Sequence, residues 1–179
     1  MQGGRAGVHA VVNLGEPEHL APPLFTDNPV PSLMSAEPPP GVEPIGPGHP
    51  SWGTVNYATG IDVRPLMSSI PDGPVPEGPA HPPRLQLWAR PRDAAPDVLF
   101  ALLCGDISMP VVFAVGRRGW APTVQLTAYL RGIPADGWLR VMCTTTLIGE
   151  DWFDSDHLVV DSGGRVIVQT RQLAMVPAR

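Results

Sequence analysis

One residue near the end of the chain stands out for its chemistry. Residues 164–176, GRVIVQTRQLAMV, alternate like a strand, in which successive side chains point to opposite faces. The uncharged face is formed by Val166, Val168, Thr170, Gln172 and Ala174, and the other face carries Arg165 and Arg171. The Gln172 amide has two donors and an acceptor, and it costs free energy to bury unless each is partnered. Gln172 is therefore either part of a buried structural network or an orienting group in a site.

The carboxylate of Asp106 is a second candidate, because it follows Gly105 at the end of an apolar segment. An Asp at such a place can simply cap or turn the chain. A negative charge at a helix C-terminus is disfavoured by the helix dipole, however, which slightly favours a functional reason for its presence. A carboxylate can take or orient a proton of water, so the chemistry open to this residue is general base catalysis.

The composition excludes several classes of function. Net charge is −5, and the 12 basic residues are all arginines scattered along the chain, so no basic stripe is available for nucleic acid. No stretch of 18 apolar residues and no basic start followed by an apolar core is present, which predicts neither a membrane span nor a signal peptide. Cys104 and Cys143 lie in apolar contexts without zinc-site spacing, which predicts buried thiols in a cytoplasmic protein without metal or cofactor.

Proline divides the chain unevenly, since 20 of the 24 prolines lie at or before Pro96. Residues 1–15 contain a short β-prone run, GVHAVVNL. Residues 16–51 are rich in proline and predict an extended linker that wraps the surface. Residues 52–177 are predicted to form the compact domain.

The elements of this domain follow from periodicity and turn signals. Residues 95–106 predict a helix, because Pro96 and Asp97 are typical of a helix start and the body is apolar on nearly all sides. Strands are predicted over 54–64, 84–90, 123–131, 138–147, 153–160 and 165–175. Short turns make neighbouring strands antiparallel. A buried helix covered by one curved antiparallel sheet is an α+β hotdog fold.

Three separated motifs carry a family resemblance: LLCGDISMP, APTVQLT and QTRQLAMV. With the runs around them, they resemble the C-terminal half of double-hotdog acyl-CoA thioesterases, the bacterial thioesterase II type and its actinobacterial relatives, over roughly residues 52–177. The resemblance implies that acyl-CoA lies between two hotdog repeats. It also implies that Asp106, Thr123 and Gln172 together hold and polarise the water that attacks the thioester.

Thr123 is the least conspicuous of these three residues, because threonine is common in strands for structural reasons. Strict alternation groups Thr123 with Gln125 and Thr127, opposite the apolar residues of its strand. To meet Gln172 it must lie at a strand start or a bulge, which the preceding Pro122 permits.

Double-hotdog proteins carry a complete first repeat, whereas residues 1–15 resemble only the last strand of one. The chain is therefore expected to be truncated, either because its true start lies upstream or because the gene is shortened. We expect an acyl-CoA thioesterase that forms a homo-oligomer. The alternative is an inactive truncated hotdog protein, or an acyl-binding module that pairs with itself or a sister protein. A hydratase is disfavoured because no Asp/His pair is placed for that reaction.

Overall fold

The computed structural model describes residues 7–17, 21–49, 51, 59–71 and 81–178. The elements in this part of the chain are α1 Val30–Leu33, β1 Ile61–Pro65, β2 Arg84–Pro91, α2 Val98–Cys104, β3 Thr123–Leu130, β4 Leu139–Thr144, β5 Trp152–Val160 and β6 Val166–Met175. Two 3₁₀ helices span Met67–Ser69 and Val111–Val115. The predicted order of two strands, one helix and four strands is confirmed. The predicted strand over 54–64 begins only at Ile61, and residues 52–58 lie outside the described ranges.

The six strands form one antiparallel sheet in the order β1-β2-β4-β5-β6-β3. The strand that follows α2 is therefore at the edge, next to the last strand of the chain. Helix α2 lies across one face of the sheet, where it contacts β3, β4 and β6. We call this face the helix side. One antiparallel sheet around one helix is the hotdog arrangement, so the predicted fold class is confirmed.

Helix α2 begins where Asp97 caps it, since this carboxylate accepts a hydrogen bond of 2.7 Å from the backbone N–H of Phe100. The cap satisfies a donor that the helix start leaves free. Phe100 and Cys104 are buried against the sheet, but Leu99 is 72% and Leu103 is 52% exposed. The expectation that the helix is buried on all sides was therefore wrong. Within the described residues, the sheet covers only one side of α2.

The proline-rich stretch packs against the opposite face of the sheet, which we call the strap side. Residues 28–35, here named the strap, contain α1, and Val30 and Met34 join a buried cluster with Trp88 and Trp138. The first half of the predicted linker is thus partly a folded element, because burying apolar side chains on the sheet offsets the entropy of ordering it.

Side chains of the sheet also bind the backbone of the strap. Three carbonyls at and just beyond the end of α1 accept hydrogen bonds, from Gln86 Nε2 to Leu33 O (3.4 Å), Arg140 Nη1 to Met34 O (3.2 Å) and Trp88 Nε1 to Ser35 O (2.9 Å). A helix end leaves such carbonyls without partners inside the helix. The strap is consequently held by its backbone as well as by packing.

Residues 7–16 are exposed and form no strand. The strand expected in the run GVHAVVNL is therefore not formed, and a single strand without a partner is not stable in water. The division into a remnant strand at 1–15, a linker at 16–51 and a domain at 52–177 stays a prediction.

A bulge in β6 changes the predicted alternation at its start. Val160 pairs with Val166 whereas Val159 pairs with Val168, so Ile167 is the extra residue. Val166 therefore packs on the strap side, and its predicted place on the inward face was wrong. From Val168 onward the prediction holds, and this part of the strand carries the candidate site.

Candidate active site

The Gln172 side chain points to the helix side of β6 and is only 8% exposed. Two hydrogen bonds hold its amide: Thr123 Oγ1 donates to Gln172 Oε1 at 2.8 Å, and Gln172 Nε2 donates to Ser155 Oγ at 2.7 Å. The free-energy cost of burying the amide is thus offset by partners on both neighbouring strands. The predicted inward position of Gln172 is confirmed.

A bulge brings Thr123 to this position. Thr123 pairs with Ala174 and Gln125 pairs with Leu173, so Val124 is an extra residue at the start of β3. Without it, alternation would turn the Thr123 side chain to the strap side, as the sequence indicates. The bulge puts the hydroxyl on the helix side, within hydrogen-bond distance of Gln172, as the alternation argument required.

Asp106 lies in the turn directly after α2, and its backbone N–H donates to Leu103 O at 3.1 Å. The preceding residue, Gly105, is fixed to β6 because its carbonyl accepts a 2.5 Å hydrogen bond from Thr170 Oγ1. Thr170 precedes Gln172 by two residues on the same face, about 7 Å along the strand. The turn that carries Asp106 is therefore bound to β6 two residues before Gln172.

The carboxyl group of Asp106 is partly surrounded by protein although the residue as a whole is exposed, and this burial raises its pKa above the ordinary value. Among the described residues, no hydrogen bond joins this carboxylate to Thr123 or Gln172. The structure thus brings Thr123 and Gln172 into contact, whereas Asp106 makes no described contact with either of them, and its place in the site stays a prediction.

The free hydrogen-bonding capacity of the three side chains is complementary to a water molecule. The Thr123 hydroxyl uses its proton in the hydrogen bond to Gln172 Oε1, so the Thr123 oxygen can still accept a hydrogen bond. The Gln172 amide keeps one N–H that the Ser155 bond does not use, and the Asp106 carboxylate can accept. A water among them could donate twice and accept once.

The site opens towards apolar surface. Leu126 is the direct cross-strand neighbour of Gln172, and Leu130 lies four residues further along the same face of β3. Both are partly exposed, as are Leu99 and Leu103 on the uncovered side of α2. A long apolar group could lie along this surface with its polar end at Gln172.

Two further polar residues on the helix side were not predicted from the sequence as part of the site. Ser155 and His157 lie on the same face of β5 as Phe153 and Val159, and all four are buried. His157 Nε2 lies 2.8 Å from Ser108 Oγ in the turn after Asp106. The signal was available, because small or polar residues at inward positions of an otherwise apolar strand face need partners.

The two cysteines are free and buried, as predicted. Burial raises the pKa of the Cys143 thiol to about 12, and the charges of Asp156 and Asp106 add to the rise, whereas hydrogen bonds with Ser108 and Ser155 oppose it. The thiol stays protonated and unreactive at neutral pH.

Among the described ranges, no helix is long and apolar enough to cross a bilayer. In the same part of the chain, no three side chains of the His, Cys, Asp or Glu type are grouped as a metal ion would require.

Comparison with known proteins shows relatives over nearly the whole chain. An uncharacterized protein of Mycobacterium tuberculosis and another of Mycobacterium bovis are each 61% identical over 193 aligned positions, which cover 99% of this chain and 64% of theirs. The chain therefore spans less than two thirds of these relatives.

Solved structures agree with the fold. A candidate thioesterase II from Thermobifida fusca YX matches with a TM-score of 0.62 and 26% identity, over 89% of this chain and 57% of that one. A hotdog protein of unknown function from Alicyclobacillus acidocaldarius matches with a TM-score of 0.56 and 20% identity, over 95% and 59%, and shows the fold alone.

The model of one protein family, described as the acyl-CoA thioesterase C-terminal domain, matches residues 35–176. This match begins in the strap and ends after β6, so it includes the whole sheet, α2 and the three expected site residues. The chain belongs to the acyl-CoA thioesterase C-terminal domain family.

Proposed function

We propose that the chain hydrolyses acyl-CoA to free fatty acid and CoA through a water held by Asp106, Thr123 and Gln172. The observation that carries the proposal is the 2.8 Å hydrogen bond between Thr123 and Gln172. These two side chains come from different strands and meet only because of a bulge. The family supports the reaction class, and the raised pKa of the neighbouring Asp106 carboxyl supports its role as the base.

In the proposed reaction, the water oxygen attacks the carbonyl carbon of the thioester while Asp106 takes a proton from that water. The tetrahedral intermediate then collapses, the C–S bond breaks, and CoA leaves as a thiolate that takes up a proton. A base with a pKa raised toward neutrality is more effective than an ordinary carboxylate. Thr123 and Gln172 contribute by fixing the orientation of the water, which lowers the entropy cost of the attack.

The acyl chain would lie on the apolar surface beside the site. Leu126 and Leu130 of β3 and Leu99 of α2 offer exposed aliphatic area directly next to Gln172. Burying such area against an alkyl chain is favourable by roughly 25 cal/mol per Å². A substrate with a medium or long acyl chain therefore fits this surface better than acetyl-CoA.

The test is thiol release from medium- and long-chain acyl-CoA by the purified chain. Asp106→Asn keeps the size of the side chain but removes the base, so kcat should fall by about 10²-fold or more. Asp93→Asn is the matched control, because Asp93 is an exposed carboxylate in the turn after β2. Thiol release that Asp106→Asn leaves unchanged would contradict the proposed site.

A second candidate function, a module that acts by association, is favoured by the open edge of the sheet. Every residue of β3 is exposed, and Leu126, Leu130 and Leu103 make this edge and the adjoining side of α2 apolar. Such edges pair readily with another strand. Two copies could pair their β3 strands antiparallel about a two-fold axis, which would give a homo-oligomer.

Sedimentation analysis distinguishes the candidates when it is combined with the thiol assay. Leu126→Lys puts a charge on the open edge and should shift a dimer to a monomer. Tight acyl-CoA binding without turnover would favour the non-catalytic module. Turnover by the dimer would favour a hydrolase that works as a homo-oligomer, and a wild-type chain that sediments as a monomer would contradict self-association.

A further inference from the structure

Four polar residues form a compact group on the helix side of the sheet. Ser155 pairs with Gln172 and His157 pairs with Thr170, so the four occupy neighbouring cross-strand positions of β5 and β6. All four are buried. Buried polar side chains without partners are destabilising, so each member of the group needs a structural or functional reason.

Ser155 fixes the plane of the Gln172 amide. The terminal torsion of a glutamine side chain is soft, so one hydrogen bond from Thr123 would leave the amide free to rock about that contact. The second bond, from Gln172 Nε2 to Ser155 Oγ at 2.7 Å, is made on the other side of the amide. The remaining N–H of Gln172 is thereby aimed in one direction.

The other pair fixes the turn that carries Asp106. Thr170 Oγ1 donates to the carbonyl of Gly105, and His157 Nε2 lies 2.8 Å from Ser108 Oγ. These two contacts are made on either side of Asp106 in the chain. The approach at Gly105 is so close that a Cβ there would lie 2.5 Å from Thr170 Cγ2.

The hydrogen bond between His157 and Ser108 joins β5 to the turn after Asp106. In the arrangement in which the Ser108 hydroxyl donates to the carbonyl of Met109 at 2.9 Å, its oxygen accepts from the Nε2–H tautomer of His157. Burial lowers the pKa of His157 to about 4, which keeps the ring neutral. Its Nδ1 atom has no partner among the described residues, so no carboxylate orients the ring as a catalytic base requires. The contact of His157 with Ser108 therefore holds the turn, and the ring has no partner among the described residues that would make it a base.

We propose that Ser155 and His157 are positioning residues of the hydrolytic site: Ser155 aims the Gln172 amide, and His157 holds the Asp106 turn through Ser108. This inference rests on the proposed function. Neither residue is a proposed partner of the water: Ser155 acts through Gln172, and His157 acts through Ser108 on the turn that carries Asp106. A small displacement of an orienting group is costly in rate, on the order of 100-fold for about 1 Å.

The experiment measures kcat and KM for acyl-CoA hydrolysis by Ser155→Ala, His157→Leu and His157→Gln. Ser155→Ala should lower kcat by roughly 10-fold to 100-fold with little change in KM, since the substrate surface is untouched. His157→Leu should do the same. His157→Gln offers an amide N–H near the position of Nε2 and should recover most of the lost kcat. Ser162→Ala is the matched control, because Ser162 lies in the β5–β6 turn, where its hydroxyl donates a 2.6 Å hydrogen bond to Asp136 O of the β3–β4 connection, away from the site.

Two kinetic results would contradict the proposed positioning roles. If kcat of Ser155→Ala stays within about two-fold of wild type, which is smaller than any orientation effect, the role of Ser155 is wrong. If His157→Gln and His157→Leu lose kcat equally, His157 acts by packing alone. Should Ser155→Ala fail to fold, Ser155→Cys, with a weaker acceptor of similar size, is judged by the same criterion.

A readout that does not depend on turnover separates this inference from the proposed function. In a ¹⁵N-labelled chain, the Gln172 side-chain amide is identified by the signals that Gln172→Leu removes. Slow hydrogen exchange of these signals in wild type and fast exchange in Ser155→Ala would support positioning of the amide even if the wild-type chain shows no hydrolysis. Equal exchange rates in the two proteins would overturn it whether or not hydrolysis is seen.

Discussion

The contact between Thr123 and Gln172 predicts a strong energetic coupling between the two residues. Thr123→Val keeps the branched shape and removes only the hydroxyl, so Gln172 Oε1 loses its one donor. Because Gln172 is only 8% exposed, we expect the free energy of unfolding to fall by about 1–3 kcal/mol, the cost of a buried acceptor left unsatisfied.

The cost should disappear in a background that lacks the amide. In Gln172→Leu, the acceptor is gone and the exposed Thr123 hydroxyl can bond to water. Thr123→Val should then change the free energy of unfolding by less than about 0.5 kcal/mol. The double-mutant cycle therefore predicts a coupling energy of about 0.5–3 kcal/mol between the two positions.

Urea unfolding followed by the fluorescence of the five tryptophans measures the four corners of the cycle. Thr127→Val is the matched control, since Thr127 lies on the same strand, pairs with Arg171 and faces the strap side. It should be neutral within about 0.5 kcal/mol in both backgrounds. If Thr123→Val costs the same with and without Gln172, within about 0.5 kcal/mol, the two side chains are independent and the site geometry is refuted.

Three further predictions follow from single contacts. Gly105→Ala should lower the free energy of unfolding by about 1–3 kcal/mol, because its Cβ would clash with Thr170 Cγ2. Thr170→Ser removes that methyl group but keeps the hydroxyl, so it should relieve part of the loss. Equal losses in the wild-type and Thr170→Ser backgrounds would exclude the clash. Trp88→Phe should cost about 1–3 kcal/mol, because Ser35 O loses its donor and the smaller ring leaves a cavity at a position that is 2% exposed, whereas Trp120→Phe at an exposed position should be neutral. Equal effects at the two positions would contradict the contact of Trp88 with the strap. The pKa of His157 is about 4 in the folded state, below its ordinary value of 6.5. The stability that the neutral ring contributes is therefore complete above pH 6.5 and is lost as the pH falls toward 4, by up to about 1.4 kcal/mol per pH unit. Chemical unfolding measured over this pH range would contradict the prediction if His157→Gln showed the same slope as wild type.

The antiparallel pairing of β4 with β5 and of β5 with β6, and the direction of Gln172, could be predicted because a short turn joins neighbouring strands and a two-residue period determines which side chains share a face. The sheet order could not be predicted in this way. β3 and β4 are also joined by a short connection, so the sequence predicts them as neighbours, but β3 pairs with β6 whereas β4 pairs with β2 and β5. The alternation also showed that Thr123 could meet Gln172 only at a strand start or a bulge, since a strict period turns its hydroxyl to the opposite face. The location of that bulge at Val124 is a property of the paired register, which only the structure gives.

Other features depend on what each element packs against, which a sequence does not state. An apolar helix can be buried on all sides or, like α2, covered on one side only, and the same leucines fit both cases. The strap is held by Arg140 and Trp88, residues more than fifty positions away from the carbonyls they bind. Ser155 and His157 belong to the same class, because their partners lie in β6 and in the turn after α2.

The proposed mechanism requires that three side chains act on one shared water, and steady-state kinetics of combined variants measures this directly. Asp106→Asn, Thr123→Val and Gln172→Leu are each compared with the triple variant in kcat for acyl-CoA hydrolysis. Residues that act as a unit show strongly non-additive losses, so the triple variant should be about as slow as Asp106→Asn alone. A triple variant whose loss equals the product of the three single losses would show that the residues act separately, which contradicts the shared water.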